Sequence, residues 1–135
     1  MAETLEFELV APTELVLSEA VNMVVVPGGE GDFGVLPGHT PLVSTVRPGV
    51  INIYDDQGKV TKSIFVEGGF AEVTEGRCTV LAEKATPVEK LTRDVAEKRL
   101  QEANDALMKT DDEGEKTGAR RELAAAQAMV DAAGG

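Results

Sequence analysis

The sequence has no tryptophan, one cysteine, one histidine and one tyrosine. A single thiol, Cys78, forms no internal disulfide and has no companion for a thiolate metal site. It reads as a small apolar residue in a strand, which fits a reducing compartment. The lone histidine, His39, has no second His or Cys nearby to share a metal, and no Ser or Cys beside it to activate as a nucleophile. It reads as a structural or partner-contacting residue. Positive charge is also scarce: 13 Lys and Arg stand against 24 Asp and Glu, a formal charge of −11. A chain this acidic repels nucleic acid and anionic lipid, so a neutral or basic protein is the expected partner. No stretch approaches the ~20 apolar residues of a membrane span. The opening "MAETLEFELV" shows neither a basic region nor an apolar signal core. We expect no direct membrane insertion, and attachment to a membrane only through another protein.

What is present changes character near Pro87. All six prolines, all four phenylalanines and Tyr54 lie at or before it; Ala, Glu, Lys and Arg dominate after it. This predicts an all-β N-terminal β-sandwich or flattened barrel over residues 1–87, followed by a C-terminal antiparallel α-helical hairpin over 88–135. Leu5, Phe7 and Leu9 alternate with Glu6 and Glu8, the period of a half-buried strand. "AVNMVVV" is a second candidate. "GVINIY" and "KVTKSIFV" flank the turn Asp55–Gly58 and read as a hairpin. "GFAEV" and "RCTVLAE" flank Thr74–Gly76 and read as another. Thr86, Pro87 and Glu89 have the spacing of a capping box opening the first helix. Ala96, Leu100, Ala103 and Leu107 then mark one helical face. A polar loop from Asp111 to Gly118 precedes the second helix, whose face carries Leu123, Ala126 and Val130. The β part holds 13 acidic and 5 basic residues, a charge of −8, and the helical part 11 and 8, a charge of −3.

Gly29-Glu30-Gly31-Asp32-Phe33-Gly34 spells G-x-G-x-x-G after the β-branched run Val24–Val26. A dinucleotide-binding turn needs a helix immediately afterwards, because the pyrophosphate sits on its N-terminus. Here Pro37, Gly38 and Pro41 follow, which excludes that helix. Glu30 and Asp32 would repel phosphate, and no P-loop lysine follows. The glycines read instead as a pair of tight turns requiring positive φ. An aromatic, Phe33, and two carboxylates on such a segment suit a protein contact. The absence of a clustered acid–base set or metal constellation disfavours the alternative, a small enzyme or ligand-binding sandwich. No catalytic, cofactor or metal residue is assigned.

The whole chain, and "GGEGDFGVLPGHTPLVSTVRPGVI" above all, resembles the epsilon subunits of bacterial F-type ATP synthases, equivalent to the mitochondrial delta subunits. "VEGGFAEV" and the terminal helices match the same pattern. The resemblance implies a non-catalytic subunit of the rotating central stalk that couples proton transport to ATP synthesis. It implies a place on the cytoplasmic face of the cell inner membrane, as part of the complex. The sandwich would bind the gamma subunit and rest on the polar loops of the c-ring. Glu30, Gly31, Asp32 and Phe33 match the c-ring-facing loop, and His39 a histidine near the gamma-facing side. In such subunits the helical hairpin can extend beside gamma, toward the catalytic alpha/beta head, and block ATP hydrolysis. Some bind ATP through I/L-D-x-x-R-A. Here that stretch is Leu91–Ala96, with Thr92 for the acid and Val95 for the arginine. Arg99, four residues beyond Val95, is the best cation left on that face. The second helix has only Lys116, Arg120 and Arg121 as basic residues. We expect weak ATP binding and weak inhibition.

Overall fold

A computed structural model describes residues 3–134. They form eight strands and two helices: β1 Leu5–Ala11, β2 Glu14–Val21, β3 Met23–Gly28, β4 Gly31–Val35, β5 Leu42–Tyr54, β6 Val60–Thr74, β7 Arg77–Ala82, β8 Ala85–Pro87, α1 Arg93–Met108 and α2 Glu113–Gly134. The chain divides after Pro87 into two compact units.

In the first unit the strands form one continuous ladder, β2-β1-β7-β6-β5-β3-β4, with β8 paired to β6. Two strands are long enough to serve both layers of a sandwich. The first half of β5 pairs with the second half of β6, which also pairs with β7. The second half of β5 and the first half of β6 pair with each other and with β3 and β8. The change of layer falls at Arg47–Pro48 on β5 and Gly68–Gly69 on β6. Pro48 has no N–H for a ladder bond, so it is tolerated only where a ladder lapses. The β3–β5 register breaks between Val25 and Gly28, near Pro48's place on β5. Alternate residues fill the space between the layers: Phe7, Leu9, Val24, Val26, Ile51, Val66 and Val80 are fully buried, and Ile53, Ala71 and Val73 nearly so.

Several expectations need correction. "AVNMVVV" is not one strand. It joins the end of β2 to β3 through a bend at Asn22, whose Nδ2 donates to Glu3 O at 3.1 Å. The strand before that bend begins earlier, at Glu14. "KVTKSIFV" and "GFAEV" are halves of the single strand β6, bent where Gly68 and Gly69 take φ of 98° and 130°. One pairing, β1 with β7, is parallel.

In the second unit a single 3-10 turn, Val88–Lys90, leads to α1, and α1 packs on α2. The Thr86–Glu89 capping box does not form. Thr86 and Pro87 belong to β8, opposite Phe65 and Ile64, and sheet pairing overrides the local helix signal. Thr92 is the true N-cap, its side chain accepting from the Val95 N–H at 3.4 Å. The loop is shorter than expected. Asp112 caps α2 by accepting from Glu115 N–H at 2.9 Å, so Gly114 and Gly118 fall inside the helix. Ala96 and Ala103 on α1, and Ala119, Ala125, Ala126 and Met129 on α2, are buried.

Candidate functional site

The glycine-rich segment is a β-hairpin. β3 and β4 pair from Val24–Val35 to Gly28–Gly31, leaving Gly29 and Glu30 as a two-residue turn. A second tight turn follows, closed by His39 N–H donating to Leu36 O at 3.1 Å. Gly38, in the second turn, has φ of 83°; at the first, positive φ falls not on Gly29 inside the turn but on Gly31 just after it, at 137°. No helix follows the glycines, so no dipole end is available for a phosphate.

The expected partner-facing residues do not share one environment. Glu30 is exposed at the turn. Asp32 is exposed too, but its carboxylate accepts from Arg47 Nη2 at 2.5 Å. Phe33 is half-buried on β4, packed against the sandwich core rather than held at a tip. Its ring covers Gly28, where a Cβ would come within 2.9 Å of the ring atoms. Gly28 is therefore required by close approach. His39 lies on the second turn, half-buried, with Nδ1–H donating to Thr40 O at 2.5 Å. The hairpin is tied to β5 by Gly29 N–H donating to Thr45 O at 2.9 Å, and by Arg47 Nη1 donating to Gly28 O at 2.5 Å.

One surface escaped sequence reasoning. Val43 on β5, Phe70 on β6 and Leu81 on β7 are 68%, 58% and 55% exposed. Phe70 pairs with Leu81, and Glu72, two residues along β6, pairs with Val43. The pleat sends all three away from the core that Ala71, Val73 and Val80 enter. They line a shallow depression of about 190 Å³ with Glu72 and Thr79. The available signal was Phe70 itself. Its neighbours Ala71 and Val73 alternate into the core, which leaves an aromatic on the outer face.

On the helical unit, Val95 is 62% exposed and presents no cation. Arg93 Nε donates to Glu97 at 2.8 Å, and Arg99 is bound to Glu122 of α2. No set of three or more His, Cys, Asp or Glu among the described residues is grouped to hold a metal ion. Burial pushes the Cys78 thiol up to about 12, which suppresses the thiolate needed for nucleophilic chemistry.

A family model described as ATP synthase, Delta/Epsilon chain, beta-sandwich domain, matches residues 4–88. The chain is 55% identical over 130 residues to the ATP synthase epsilon chain of Rhodospirillum rubrum, covering 96% of each. It is 54% identical over 130 residues to that of Paramagnetospirillum magneticum, covering 96% of this chain and 97% of the relative. Among solved structures it resembles a chain of the Euglena gracilis mitochondrial ATP synthase, OSCP/F1/c-ring, with a TM-score of 0.83 and 26% identity. That match covers 96% of this chain and 81% of the other. A chain of the Tetrahymena thermophila mitochondrial ATP synthase, central stalk/c-ring, shares the fold at 14% identity and a TM-score of 0.73, over 97% of both chains. With the sandwich matched from end to end and half of all aligned residues identical, the chain belongs to the ATP synthase epsilon chain family.

Proposed function

We propose that this subunit is a non-catalytic member of the central stalk, joining the gamma subunit to the c-ring and coupling proton transport to ATP synthesis. It would work at the cytoplasmic face of the inner membrane, as part of the complex. The observation that carries this reading is the apolar face of Val43, Phe70 and Leu81 on a sheet otherwise rich in acid. Three large apolar side chains clustered in the open mark a protein interface, and a central aromatic is its usual anchor. Gamma is the partner assigned to that face. The c-ring is assigned to the turn at Glu30, where an acidic tip meets basic loops. Charge complementarity of this kind fixes register more than it adds affinity, which suits a coupling that must not slip.

The test is binding of gamma to the full chain carrying Phe70→Ser and Leu81→Ser. Loss of a buried aromatic anchor costs about 2–4 kcal/mol of binding, so the affinity is expected to fall at least about thirtyfold with an unchanged circular dichroism spectrum. Wild-type affinity in that variant rejects the assignment of gamma to this face.

Regulation through the helical hairpin is assigned a small role. The stretch matching an ATP motif has an exposed valine where the arginine belongs. Its two neighbouring arginines are bound to Glu97 and Glu122. A hairpin that does not hold ATP has no mass-action link to ATP concentration.

A further inference from the structure

The two helices of the hairpin carry charges that suit each other's ends and not their own. Arg93 is the first residue of α1, where the helix dipole is positive and a cation is unfavourable. The end of α2 has the opposite fault. Its basic residues, Lys116, Arg120 and Arg121, all lie in its first half, and its last turn has no cation. Asp131 adds an acid there, its carboxylate accepting from the neutral Gln127 Nε2 at 3.1 Å. The last carbonyls of a helix have no partner within it, so this end concentrates negative charge. α1 packs on α2, and the open end of the hairpin brings Arg93 to Gly134, the last residue of α2. A Cβ on Gly134 would stand 3.0 Å from Arg93 Nη1 and 4.0 Å from Cζ. The guanidinium therefore lies against the last turn, and the lack of a side chain on Gly134 lets it approach. Its Nε donates to Glu97 at 2.8 Å, which fixes the planar group and leaves Nη1 for α2.

We propose that Arg93 is a latch across the open end of the hairpin, a cation from α1 that neutralises the C-terminal end of α2. The hairpin is then tied by its loop, by Arg99 on Glu122 and by Arg93. The loop and the Arg99 pair lie too far from Gly134 to stop the last turn of α2 from fraying. Arg93 is the tie that acts there, so opening starts at this end and Arg93 sets how often. A hairpin latched by its own side chain stays folded without a ligand, which gives the small regulatory role a cause. That consequence rests on the regulatory reading; the latch itself does not.

The test is made on the isolated full-length subunit, so its outcome is independent of what the hairpin does in the assembled enzyme. Hydrogen exchange at the Ala132 and Ala133 amides reports the latch. The Arg93 side chain is 62% exposed, which screens its charge. Arg93→Met is therefore expected to speed both amides by about twofold to fivefold, with the Val80 amide of the sandwich unchanged. Arg93→Lys, which keeps the charge, is expected to retain about half of the protection or more. Glu97→Gln removes the ion pair within α1 and spares the cation, so Ala132 and Ala133 should stay near their wild-type rates. In about 1 M salt, where the screening length falls to ~3 Å, the difference between wild type and Arg93→Met should shrink. Unchanged exchange at Ala132 and Ala133 in Arg93→Met overturns the latch. An equal rise in Glu97→Gln also overturns it, by placing the effect in the first turn of α1. A difference that keeps its full size in 1 M salt does the same, because stem packing and not charge would then hold the end of α2.

Discussion

Arg99 on α1 forks onto both carboxylate oxygens of Glu122 on α2, Nε to one at 2.5 Å and Nη2 to the other at 3.1 Å. The bond matters because the helices otherwise bury mostly alanine, which supplies little apolar area. Glu122 is about half exposed, which screens the pair. We expect Glu122→Gln to destabilise the hairpin by about 0.5–1 kcal/mol. Hydrogen exchange at the α1 amides should quicken by about twofold to fivefold. Equal rates in the variant would show that the ion pair does not hold the helices.

The same bond bears on nucleotide binding. Phosphate recognition needs a cation free to fork onto it. Arg99, the cation that shares a face with Val95, is committed to Glu122, and Arg93 to Glu97. Titrating the subunit with ATP by calorimetry should give no saturation below about 1 mM, a range that corresponds to only ~4 kcal/mol of binding. A micromolar dissociation constant contradicts this.

Gly69 is where β6 crosses between layers, with φ of 130°, and an added Cβ would lie 1.9 Å from Leu81 O. The backbone oxygen cannot move without breaking the β6–β7 ladder. Gly69→Ala should cost about 3 kcal/mol or more, from strain plus overpacking, read from a lower urea midpoint. A loss under about 1 kcal/mol would mean that the bend is soft.

A chain ended at Pro87 should unfold cooperatively, since the strands own the aromatic and β-branched core. A chain ended at Lys84 removes β8 and uncovers the edge of β6 opposite Ile64–Val66. It should unfold at a lower denaturant concentration. If the chain ended at Pro87 shows no cooperative transition, the sandwich does not fold by itself.

Much of this was legible because it is local. The alternation of Leu5, Phe7 and Leu9 needs only one strand. Asp55 announces its turn because its own Oδ1 accepts from the Gln57 and Lys59 amides at 2.9 Å. The rest depends on residues far apart in sequence. Thr86 and Pro87 look like a helix start until β6, some twenty residues earlier, pairs with them. Asp32 looks like a free carboxylate until β5 brings Arg47 to it. Gly114 and Gly118 look like breakers, costing about 1 kcal/mol each in a helix, but the Asp112 cap and packing against α1 offset that. The outward face of Phe70 is defined only once the register with Leu81 is known.

Cys78 gives a pH dependence with a definite sign. It is fully buried on β7, paired with Phe7 on β1 and Val73 on β6. Burial disfavours the thiolate and lifts the thiol from 9.0 to about 12. The unfolded chain exposes the group and ionises it near its ordinary value. Between those limits the unfolded state holds fewer protons, so stability falls as pH rises. The contribution is fully present below about pH 9 and is lost progressively toward pH 12. At pH 10, one unit above the ordinary value, the loss is about 1.4 kcal/mol. The comparison is with Cys78→Ala, which leaves every other ionisable group in place. That variant starts less stable because of the lost sulfur packing. The gap between the two proteins in urea denaturation should narrow by about 1.4 kcal/mol from pH 8 to pH 10. A constant gap would mean that the thiolate is tolerated in the folded core. In the native protein at pH 8 a thiol reagent should label Cys78 only as fast as the sandwich opens; labelling at the rate of a free thiol would contradict the burial that sets the shift.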